Sequence, residues 1–360
     1  MFFVDHKMKI NKLTFLLILI YFLFSCSRSN DFFIPIPIDN FRLIDHLGTS
    51  HELFYYNDAD VIAIMVHGNG CPIVQNSLVD FLELQRKFNM KNIKLFFINS
   101  NLQDNRESIA ENANKWKINI PILIDDDQLI GRSLNLKRTA EVLIIDPKKR
   151  EIVYRGALSD RVHYDGKKDI AENSFAEDAL KAFFSGKRII NHHYENQGCL
   201  INFPEQKVDT LKNISYVDDV APILIKKCFH CHNDNGIGPW SMSNFTMIKG
   251  FSPMIREVIR LKRMPPWDAD PKIGNWSNDF SLTSDEKKIL VNWIEMGSPR
   301  GDGIDPLENM SPPENTWKKG VPDLILNVPK FDIPANGNLP YRYVQIDNPL
   351  DHDVWVTAAD

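Results

Sequence analysis

The sequence predicts a multidomain chain in which an α/β domain comes first, a small all-helical domain follows, and a short incomplete β segment comes last. The continuous apolar run Val61–Val66 is typical of a strand that is buried on both faces of a parallel sheet. Residues 215–218 and 283–286 each have the form of a capping box, which opens a helix. From Pro322 onward, runs rich in β-branched and aromatic residues predict strands.

The α/β domain is assigned to residues 41–203, where strand and helix patterns alternate. A hairpin follows the βαβ units, and a final helix stops at Gly186, a residue that commonly ends helices. This order of elements describes a thioredoxin-type sandwich. The predicted strands are 61–66, 93–98, 122–124, 141–146 and 152–155, and the predicted helices are 106–116, 128–136 and 170–185, with a further helical segment around 78–84.

Residues 1–25 are predicted to be a lipoprotein signal peptide. Three lysines precede an apolar run, Leu13–Phe24, which is too short to span a bilayer. The run ends in a pattern that resembles a lipobox, in which Cys26 takes up lipid; a plain secretory signal or a membrane anchor with a chance cysteine is the alternative. Residues 26–40 predict a tether. The mature chain is expected in the bacterial cell envelope, lipid-anchored to the membrane and facing the periplasm or the cell surface.

Composition narrows the function only a little. The formal net charge is −5 and the chain is 43% hydrophobic, as in an ordinary globular protein. Lysine and arginine are scattered along the sequence, so no nucleic-acid partner is expected. In an oxidising compartment, the four cysteines besides Cys26 each need an explanation.

Two of these cysteines belong to the motif Cys228-Phe-His-Cys231-His232. The spacing is typical of c-type haem attachment: two thiols add to the haem vinyl groups, and the adjacent histidine coordinates the iron. A zinc site or a disulfide followed by an idle histidine is the alternative, but zinc would need a second ligand pair, and none follows. The sequence therefore predicts one covalent haem c, with His232 as an iron ligand.

The second iron ligand is predicted to be Met264, in Arg263-Met-Pro-Pro-Trp267. The two prolines stiffen the backbone and remove amide donors. Met254 is expected to lie within a helix that starts at Ser252-Pro253 and runs through Arg260, with proline at its first position. Its side chain is expected to pack in the core of the domain. Met242 and Met247, in the loop after the haem motif, stay open as alternatives.

Residues 209–302 resemble a class of small bacterial cytochrome c domains. Val220-Ala-Pro-Ile-Leu, the haem motif, Gly236-Ile-Gly-Pro-Trp240, Arg263-Met-Pro-Pro-Trp267 and the stretch Ile289–Gly297 carry the resemblance. It implies that His232 and Met264 are the axial ligands. It also implies electron transfer with periplasmic donor or acceptor proteins.

Cys71 is the candidate reactive thiol of the α/β domain. It follows the strand 61–66 directly and precedes a helix, so its sulfur is expected near a helix N-terminus, where the dipole favours the thiolate. The stretch His67-Gly-Asn-Gly-Cys71-Pro72, together with Thr139–Asp146 and Tyr154-Arg-Gly156, resembles the redoxin branch of the peroxiredoxin and thioredoxin superfamily. The resemblance implies that Cys71 is the redox-active thiol.

This domain departs from the family patterns at three positions. Val74 stands where a thioredoxin has its second cysteine, Gly68 where a peroxiredoxin has threonine or serine, and Ala140 where the family has a proline expected to be cis. Arg138 remains a candidate to hold a peroxide or to stabilise the thiolate. These departures leave open whether the domain is catalytic or degenerate.

Cys199 is the remaining cysteine that can partner Cys71. A bridge between them would close a long loop and, in the chain-entropy model, add up to about 5 kcal/mol of stability. The pair could equally turn over, with Cys199 resolving an oxidised Cys71. Both interpretations stay open.

The segment 317–360 resembles the linker and first strands of copper type II ascorbate-dependent monooxygenase-like modules, through Trp317–Leu326 and Pro340-Tyr-Arg-Tyr343. A copper site needs clustered histidines. After Cys231 the sequence has only His232 and His352, so this chain is expected to lack the copper chemistry. The segment is interpreted as truncated or as paired with a separate partner.

Together these features predict a redox lipoprotein. In the leading hypothesis it is an oxidoreductase, in which Cys71 attacks a peroxide or a disulfide and the haem transfers electrons. In the alternatives it is a pure electron carrier with a non-catalytic redoxin docking domain, or a subunit that feeds a copper monooxygenase partner.

Overall fold

The computed structural model describes residues 31–163, 165–191, 194–204, 214–267, 269–270, 273–277, 279–311, 321–332 and 342–357. The predicted signal peptide and Cys26 lie outside these residues. Within the described part of the chain, no helix combines the length and the apolar character that are needed to cross a membrane.

The first half of the chain folds around an eight-stranded sheet in the order β1-β8-β7-β4-β5-β6-β2-β3. Pairs β4–β5 and β5–β6 are parallel and the other pairs are antiparallel. A small separate hairpin pairs β9 with β10. The strands are β1 (Ile36–Pro37), β2 (Arg42–Asp45), β3 (Ser50–Glu52), β4 (Val61–Val66), β5 (Ile93–Asn99), β6 (Ile122–Ile124), β7 (Glu141–Asp146), β8 (Glu151–Ala157), β9 (Val162–His163) and β10 (Gly166–Lys167).

The central strand β4 confirms the sequence prediction of a strand buried on both faces. All six of its residues are buried, and it lies between β5 and β7. The predicted hairpin and the other predicted strands of this domain are present as well, with ends that differ by at most two residues. The helices are α1 (Pro72–Lys87), α2 (Arg106–Trp116), α3 (Leu129–Ser133), α4 (Phe175–Phe184), α5 (Ala221–Lys227), α6 (Phe245–Arg260) and α7 (Ser284–Glu295), with a 3₁₀ helix at Leu53–Tyr56 and a π-helical turn at Tyr216–Val220.

The two faces of the sheet bury different cores. Val61, Ala63 and Met65 of β4 share one core with α1, α2 and α4. Alternate residues of a strand point to opposite faces, and Ile62 and Ile64 accordingly belong to a second core. That second core continues into the helices that follow residue 214. The helical part therefore packs on the α/β domain.

The N-terminal described residues differ from the predicted tether. Ile36 pairs with Ile152 on the edge of the sheet, and Ile38 is buried. The Phe33 amide donates to the Ile189 carbonyl at 2.9 Å. Ile38 anchors this stretch, whereas Ile34 and Ile36 stay exposed, and proline is tolerated on an edge strand.

The helical part begins with Ser215 as the N-cap that the sequence predicts. Helix α7 has the full predicted capping box, with reciprocal hydrogen bonds between Thr283 and Glu286. Helix α6 differs from prediction, because it begins at Phe245 after the N-cap Asn244 and carries Pro253 in its interior.

The interior proline is tolerated because another donor replaces the missing amide. Pro253 cannot donate to the carbonyl of Lys249, four residues earlier. The Ser252 hydroxyl donates to that carbonyl instead, at 2.8 Å. Met254, the next residue, is 53% exposed, so the prediction that it packs in the core is wrong.

Ion pairs join the helical part to the sheet domain. Arg260 binds Asp39 at 3.0 Å, and Lys287 binds Asp127 at 2.7 Å. Burial weakens the charged form of Asp127, but the Lys287 ammonium beside it outweighs that effect and holds its pKa below the usual range. The interface thus combines a shared apolar core with charged pairs at its edge.

The strands predicted after Pro322 are not formed in the described residues of this segment. Within 321–332 and 342–357 the chain forms no strand or helix. A strand needs a partner to satisfy its backbone groups, and the described parts of this segment are not paired with the sheet. The interpretations that the segment is truncated, or that it pairs with a separate copper monooxygenase partner, stay predictions.

Candidate functional site

The structure brings Cys71 and Cys199 together. Cys71 is the N-cap residue of α1, directly after the loop that leaves β4, and Cys199 lies on the segment that follows α4. Their sulfur atoms are 3.4 Å apart, and both residues are free thiols. A disulfide bond is about 2.05 Å long, so this is a reduced pair in hydrogen-bonding contact.

Thr139 connects the two cysteines. Its Oγ1 atom accepts a hydrogen bond from the Cys199 amide at 2.8 Å and lies 3.1 Å from the Cys71 sulfur. Because the amide occupies a lone pair of the oxygen, the hydroxyl hydrogen is available to the sulfur. The Thr139 hydroxyl can therefore donate to a Cys71 thiolate.

Thr139 is the functional residue that sequence reasoning missed, and Gly68 explains its role. A Cβ atom added at Gly68 would lie only 2.7 Å from the Thr139 methyl group. A threonine or serine at position 68 would thus collide with Thr139. The hydroxyl that is absent at the usual peroxiredoxin position is supplied by Thr139, which lies next to Gly68, and the only signal in the sequence was the location of Thr139 before Ala140.

The pKa values of the two thiols are shifted in opposite directions. Burial disfavours the Cys71 thiolate, but the Thr139 hydroxyl, the Val74 amide at the start of α1 and the Cys199 thiol outweigh it, so the pKa of Cys71 is lowered. Burial and the neighbouring Cys71 sulfur raise the pKa of Cys199. The first proton of the pair therefore leaves from Cys71, which favours Cys71 over Cys199 as the thiolate.

Arg138 lies beside the same site but contacts the Cys199 segment. Its Nη1 atom donates to the Gly198 carbonyl at 3.0 Å, and its Nη2 atom is 3.5 Å from the Glu195 carboxylate. The guanidinium therefore holds the backbone next to Cys199. Its predicted role with peroxide or thiolate stays a prediction.

A buried polar network supports the loop before Cys71. The Asn99 side-chain amide donates to Nδ1 of His67 at 3.1 Å and to Asp104 at 2.8 Å. The His67 ring packs edge-on against Phe97 and Trp116. Burial lowers the pKa of His67 to about 4, so this imidazole is neutral at physiological pH and holds the loop as a hydrogen-bond acceptor.

The haem motif lies at the end of α5. The His232 ring is largely buried and packs against Trp240, and its Nδ1 atom lies 3.1 Å from the Trp240 carbonyl oxygen. A carbonyl only accepts, so Nδ1 carries the proton and Nε2 keeps its lone pair. Histidines that bind metals are commonly oriented by a hydrogen bond of this kind. The ring is thus set up to ligate through Nε2.

Glycine is required beside this ring. A Cβ atom at Gly238 would lie 2.7 Å from the Nδ1 atom of His232. A Cβ atom at a second glycine, Gly236, would lie 2.2 Å from the Cys231 carbonyl oxygen. The glycines of the loop after the motif let the backbone wrap around the histidine.

A cavity of about 530 Å³ lies between the helical part and the sheet edge, and Met264 lines it. Its volume is in the range of small-molecule and cofactor sites. One wall, Asp279–Leu282, contacts the haem motif: the Phe280 ring stacks on His230, and Lys227 donates to the Ser281 carbonyl at 2.7 Å. The cysteines of the motif and His232 do not line this cavity, so the wall Asp279–Leu282 is what connects it with the motif.

The other methionines are placed differently. Met254 is exposed on α6, and Met242 is buried, with its amide bonded to the His232 carbonyl at 2.9 Å. Met264 is 38% exposed and faces the cavity. Met254 also lines a cavity, of about 680 Å³, so the choice of Met264 rests on the sequence.

Residues 35–174 match the Redoxin family. The match covers the sheet from β1 to β8 and includes Cys71 and Thr139. This part of the chain is a redoxin domain of thioredoxin-like fold. No curated protein matches the sequence.

Several solved structures are similar to this half of the chain. A hypothetical protein from Sinorhizobium meliloti is 20% identical, with 48% of this chain and 95% of that chain covered and a TM-score of 0.41. An uncharacterised conserved protein from Geobacillus kaustophilus is 23% identical, with 48% and 94% covered and a TM-score of 0.41. Peroxidoxin BcpB from Mycobacterium tuberculosis is 16% identical, with 42% and 96% covered and a TM-score of 0.33.

Proposed function

We propose that the redoxin domain is a thiol-dependent oxidoreductase in which Cys71 is the nucleophile and Cys199 resolves its oxidised form. The single observation that carries this proposal is the contact of the two sulfurs at 3.4 Å, with Thr139 bonded to both residues. A structural pair of buried thiols would not need a hydroxyl that stabilises one thiolate selectively.

The chemistry balances with a hydroperoxide as the oxidant. The Cys71 thiolate attacks one peroxide oxygen, so that an S–O bond forms, the O–O bond breaks and the leaving oxygen takes a proton from solvent. Cys71 is thereby oxidised to a sulfenic acid and the peroxide is reduced to an alcohol or water. The Cys199 thiol then attacks the Cys71 sulfur, the disulfide forms and water leaves. A dithiol reductant restores both thiols.

The test follows the sulfur atoms rather than peroxide consumption, because a haem in the same chain can also react with peroxide. Peptide mass spectrometry after a peroxide pulse should find a Cys71–Cys199 disulfide in the wild type and a trapped sulfenic acid at Cys71 in Cys199→Ser. Cys71→Ser should leave Cys199 unoxidised. If Cys71 stays a thiol in every sample, the domain is not catalytic and the electron-carrier alternative replaces this proposal.

We also propose that the helical part is a c-type cytochrome domain. Cys228 and Cys231 would hold the haem through thioethers, His232 would ligate it through Nε2, and Met264 is the candidate for the other side. When bound, the haem would supply one-electron transfer with envelope partner proteins. The orientation of His232 by the Trp240 carbonyl supports this proposal most directly.

Covalent attachment separates this proposal from a loosely bound haem or a metal site. The haem should stay with the polypeptide through acid-acetone extraction, and Cys228→Ala with Cys231→Ala should abolish the haem stain. Cys71→Ser is the matched control, because it removes a thiol outside the motif. Haem that extracts from the wild type would refute the assignment.

The location of the protein is proposed from the sequence of its first 26 residues. A lipid at Cys26 would keep both redox sites on the outer side of the cytoplasmic membrane. Cys26→Ser should abolish acyl labelling and release the chain from the membrane fraction. Unchanged labelling would show that the lipid lies elsewhere.

A further inference from the structure

Residues 195–203, here called the strap, cross the thiol site beside the chain just before β7. The Thr139 amide donates to the Cys199 carbonyl at 2.9 Å, and the Cys199 amide returns a bond to the Thr139 hydroxyl at 2.8 Å. Further along, the Ile201 amide donates to the Lys137 carbonyl at 2.9 Å. The strap therefore pairs in antiparallel fashion with the chain just before β7, as the bridge between Arg138 and Leu200 confirms.

The strap is fixed at both ends. Before it, the Tyr194 hydroxyl bonds His163 at 3.1 Å. At its far end, Ile201 and Phe203 are buried in the core, and the Asn202 carbonyl accepts a bond from Gln128 at 2.7 Å. The middle of the strap, around Cys199, thus depends on its bonds to residues 137–139 for its position.

The strap covers one sulfur and presents the other. Cys71 is only 4% exposed, whereas Cys199 is partly accessible and its neighbour Leu200 is 71% exposed. Thiol–disulfide exchange requires an attacking sulfur to reach the sulfur under attack, so access decides which cysteine reacts. A large partner meets the strap and Cys199 before it meets Cys71.

We infer that the strap selects the reaction partners of this site: small hydroperoxides reach Cys71 directly, whereas protein dithiols react only through Cys199. The inference rests on the proposed thiol chemistry and adds its substrate class. A hydroperoxide needs to place only one oxygen against the Cys71 sulfur. The reducing dithiol attacks the Cys199 sulfur of the disulfide, forms a mixed disulfide there and releases the Cys71 thiolate, and its second thiol then frees Cys199.

Gly198 is the residue that allows the strap to close. A Cβ atom at this position would lie 1.6 Å from the Thr139 carbonyl oxygen and 2.5 Å from its carbon. The obstacle is backbone at the edge of β7 and cannot rotate away as a flexible side chain could. Gly198→Ala should therefore open the middle of the strap while its two ends stay anchored.

The experiment compares two reagents on the full-length chain with its haem. Methyl methanethiolsulfonate is the small probe and maleimide-linked polyethylene glycol is the large one, and peptide mapping reports the modification rate of Cys71. Gly198→Ala is compared with Gly250→Ala, where an added Cβ atom meets nothing within 4 Å. Arg138→Ala, which removes the guanidinium from the Gly198 carbonyl, is a milder second variant.

In the wild type and in Gly250→Ala, the small probe should modify Cys71 and the large probe should modify Cys199 first. Gly198→Ala should accelerate modification of Cys71 by the large probe roughly a hundredfold. Three hydrogen bonds hold the strap closed, and the loss of each increases the population of the open strap by a factor of about five. Arg138→Ala should give a smaller increase. A ratio of large-probe to small-probe rates at Cys71 that is the same in all variants would overturn the inference.

This outcome is distinguishable from failure of the proposed function. If the peroxide-driven disulfide forms but the probe ratio is unchanged, only the selecting role of the strap is wrong. If no disulfide or sulfenic acid forms, the thiol chemistry itself is wrong. Circular dichroism checks that Gly198→Ala is folded, and Arg138→Ala keeps the inference falsifiable if it is not.

Discussion

Replacing Thr139 with valine tests the core of the thiol site. Valine has nearly the same shape but lacks the hydroxyl that lies 3.1 Å from the Cys71 sulfur. A hydrogen bond to a charged group contributes about 1.5–3 kcal/mol, and one pKa unit corresponds to about 1.4 kcal/mol. The pKa of Cys71 should therefore rise by roughly one to two units in Thr139→Val.

The direction of this pKa change determines how the thiolate fraction of Cys71 in Thr139→Val depends on pH. The lowered pKa of Cys71 means that its thiolate is present at a lower pH than in an ordinary thiol. Without the hydroxyl, burial dominates, and at neutral pH the thiolate fraction should fall about tenfold or more. The loss should shrink as the pH approaches the new pKa and vanish above it.

The assay is the rate of iodoacetamide alkylation of Cys71 against pH, measured in the Cys199→Ser background. Thr139→Ser is the matched control, because it keeps the hydroxyl and should keep the midpoint within a few tenths of a unit of the parent. A midpoint that does not move in Thr139→Val would refute the role of Thr139. A midpoint that moves equally in both variants would show that the hydroxyl is not the cause, because Thr139→Ser keeps it.

Three further perturbations test other parts of the structure. His67→Gln should flatten the pH dependence of the free energy of unfolding, because the pKa of His67 falls from 6.5 to about 4 on folding. The contribution of this shift, on the order of 3 kcal/mol, is present above pH 6.5 and is lost as the pH drops toward 4. Urea midpoints at pH 7 and pH 4.5 that differ in the variant as much as in the wild type would contradict this. If a haem is attached at Cys228 and Cys231, Met264→Ala should lower its reduction potential in a potentiometric titration, because methionine ligation raises it, whereas Met254→Ala should leave it unchanged. The reverse outcome would transfer the ligand role to Met254. Gly238→Ala should lower the thermal midpoint by roughly 2–8 °C, because its Cβ atom would press on His232; an unchanged midpoint would show that the loop yields without cost.

The α/β domain could be predicted from the sequence because its local signals agree with its tertiary structure. The apolar run at β4 has no alternative to a two-sided burial, and α2 begins and ends at the predicted residues. The prolines of the predicted tether suggested an extended linker, whereas Ile36 pairs with the sheet edge and Ile38 is buried. Composition alone cannot show that an edge is vacant nearby.

The error at α6 has a different origin. A proline is normally read as the first residue of a helix, and Pro253 would be one if nothing replaced its missing donor. Ser252 does so through a side-chain bond to the Lys249 carbonyl. Such a replacement depends on a rotamer of a neighbouring residue, which the periodicity of the sequence does not encode.

The two cysteines of the candidate site could be predicted from the sequence, but the hydroxyl of Thr139 could not. Cys71 is recognised because it follows a buried strand and starts a helix, and Cys199 because the other cysteines had assignments. The absent threonine at position 68 counted against catalysis, since the family pattern places the hydroxyl there. The structure supplies that hydroxyl from Thr139, and a side chain at 68 would displace it. What the thiolate requires is a donor within about 3 Å, and here Thr139 takes the place of a side chain at 68. A motif that is broken at one position therefore does not argue that the chemistry is lost.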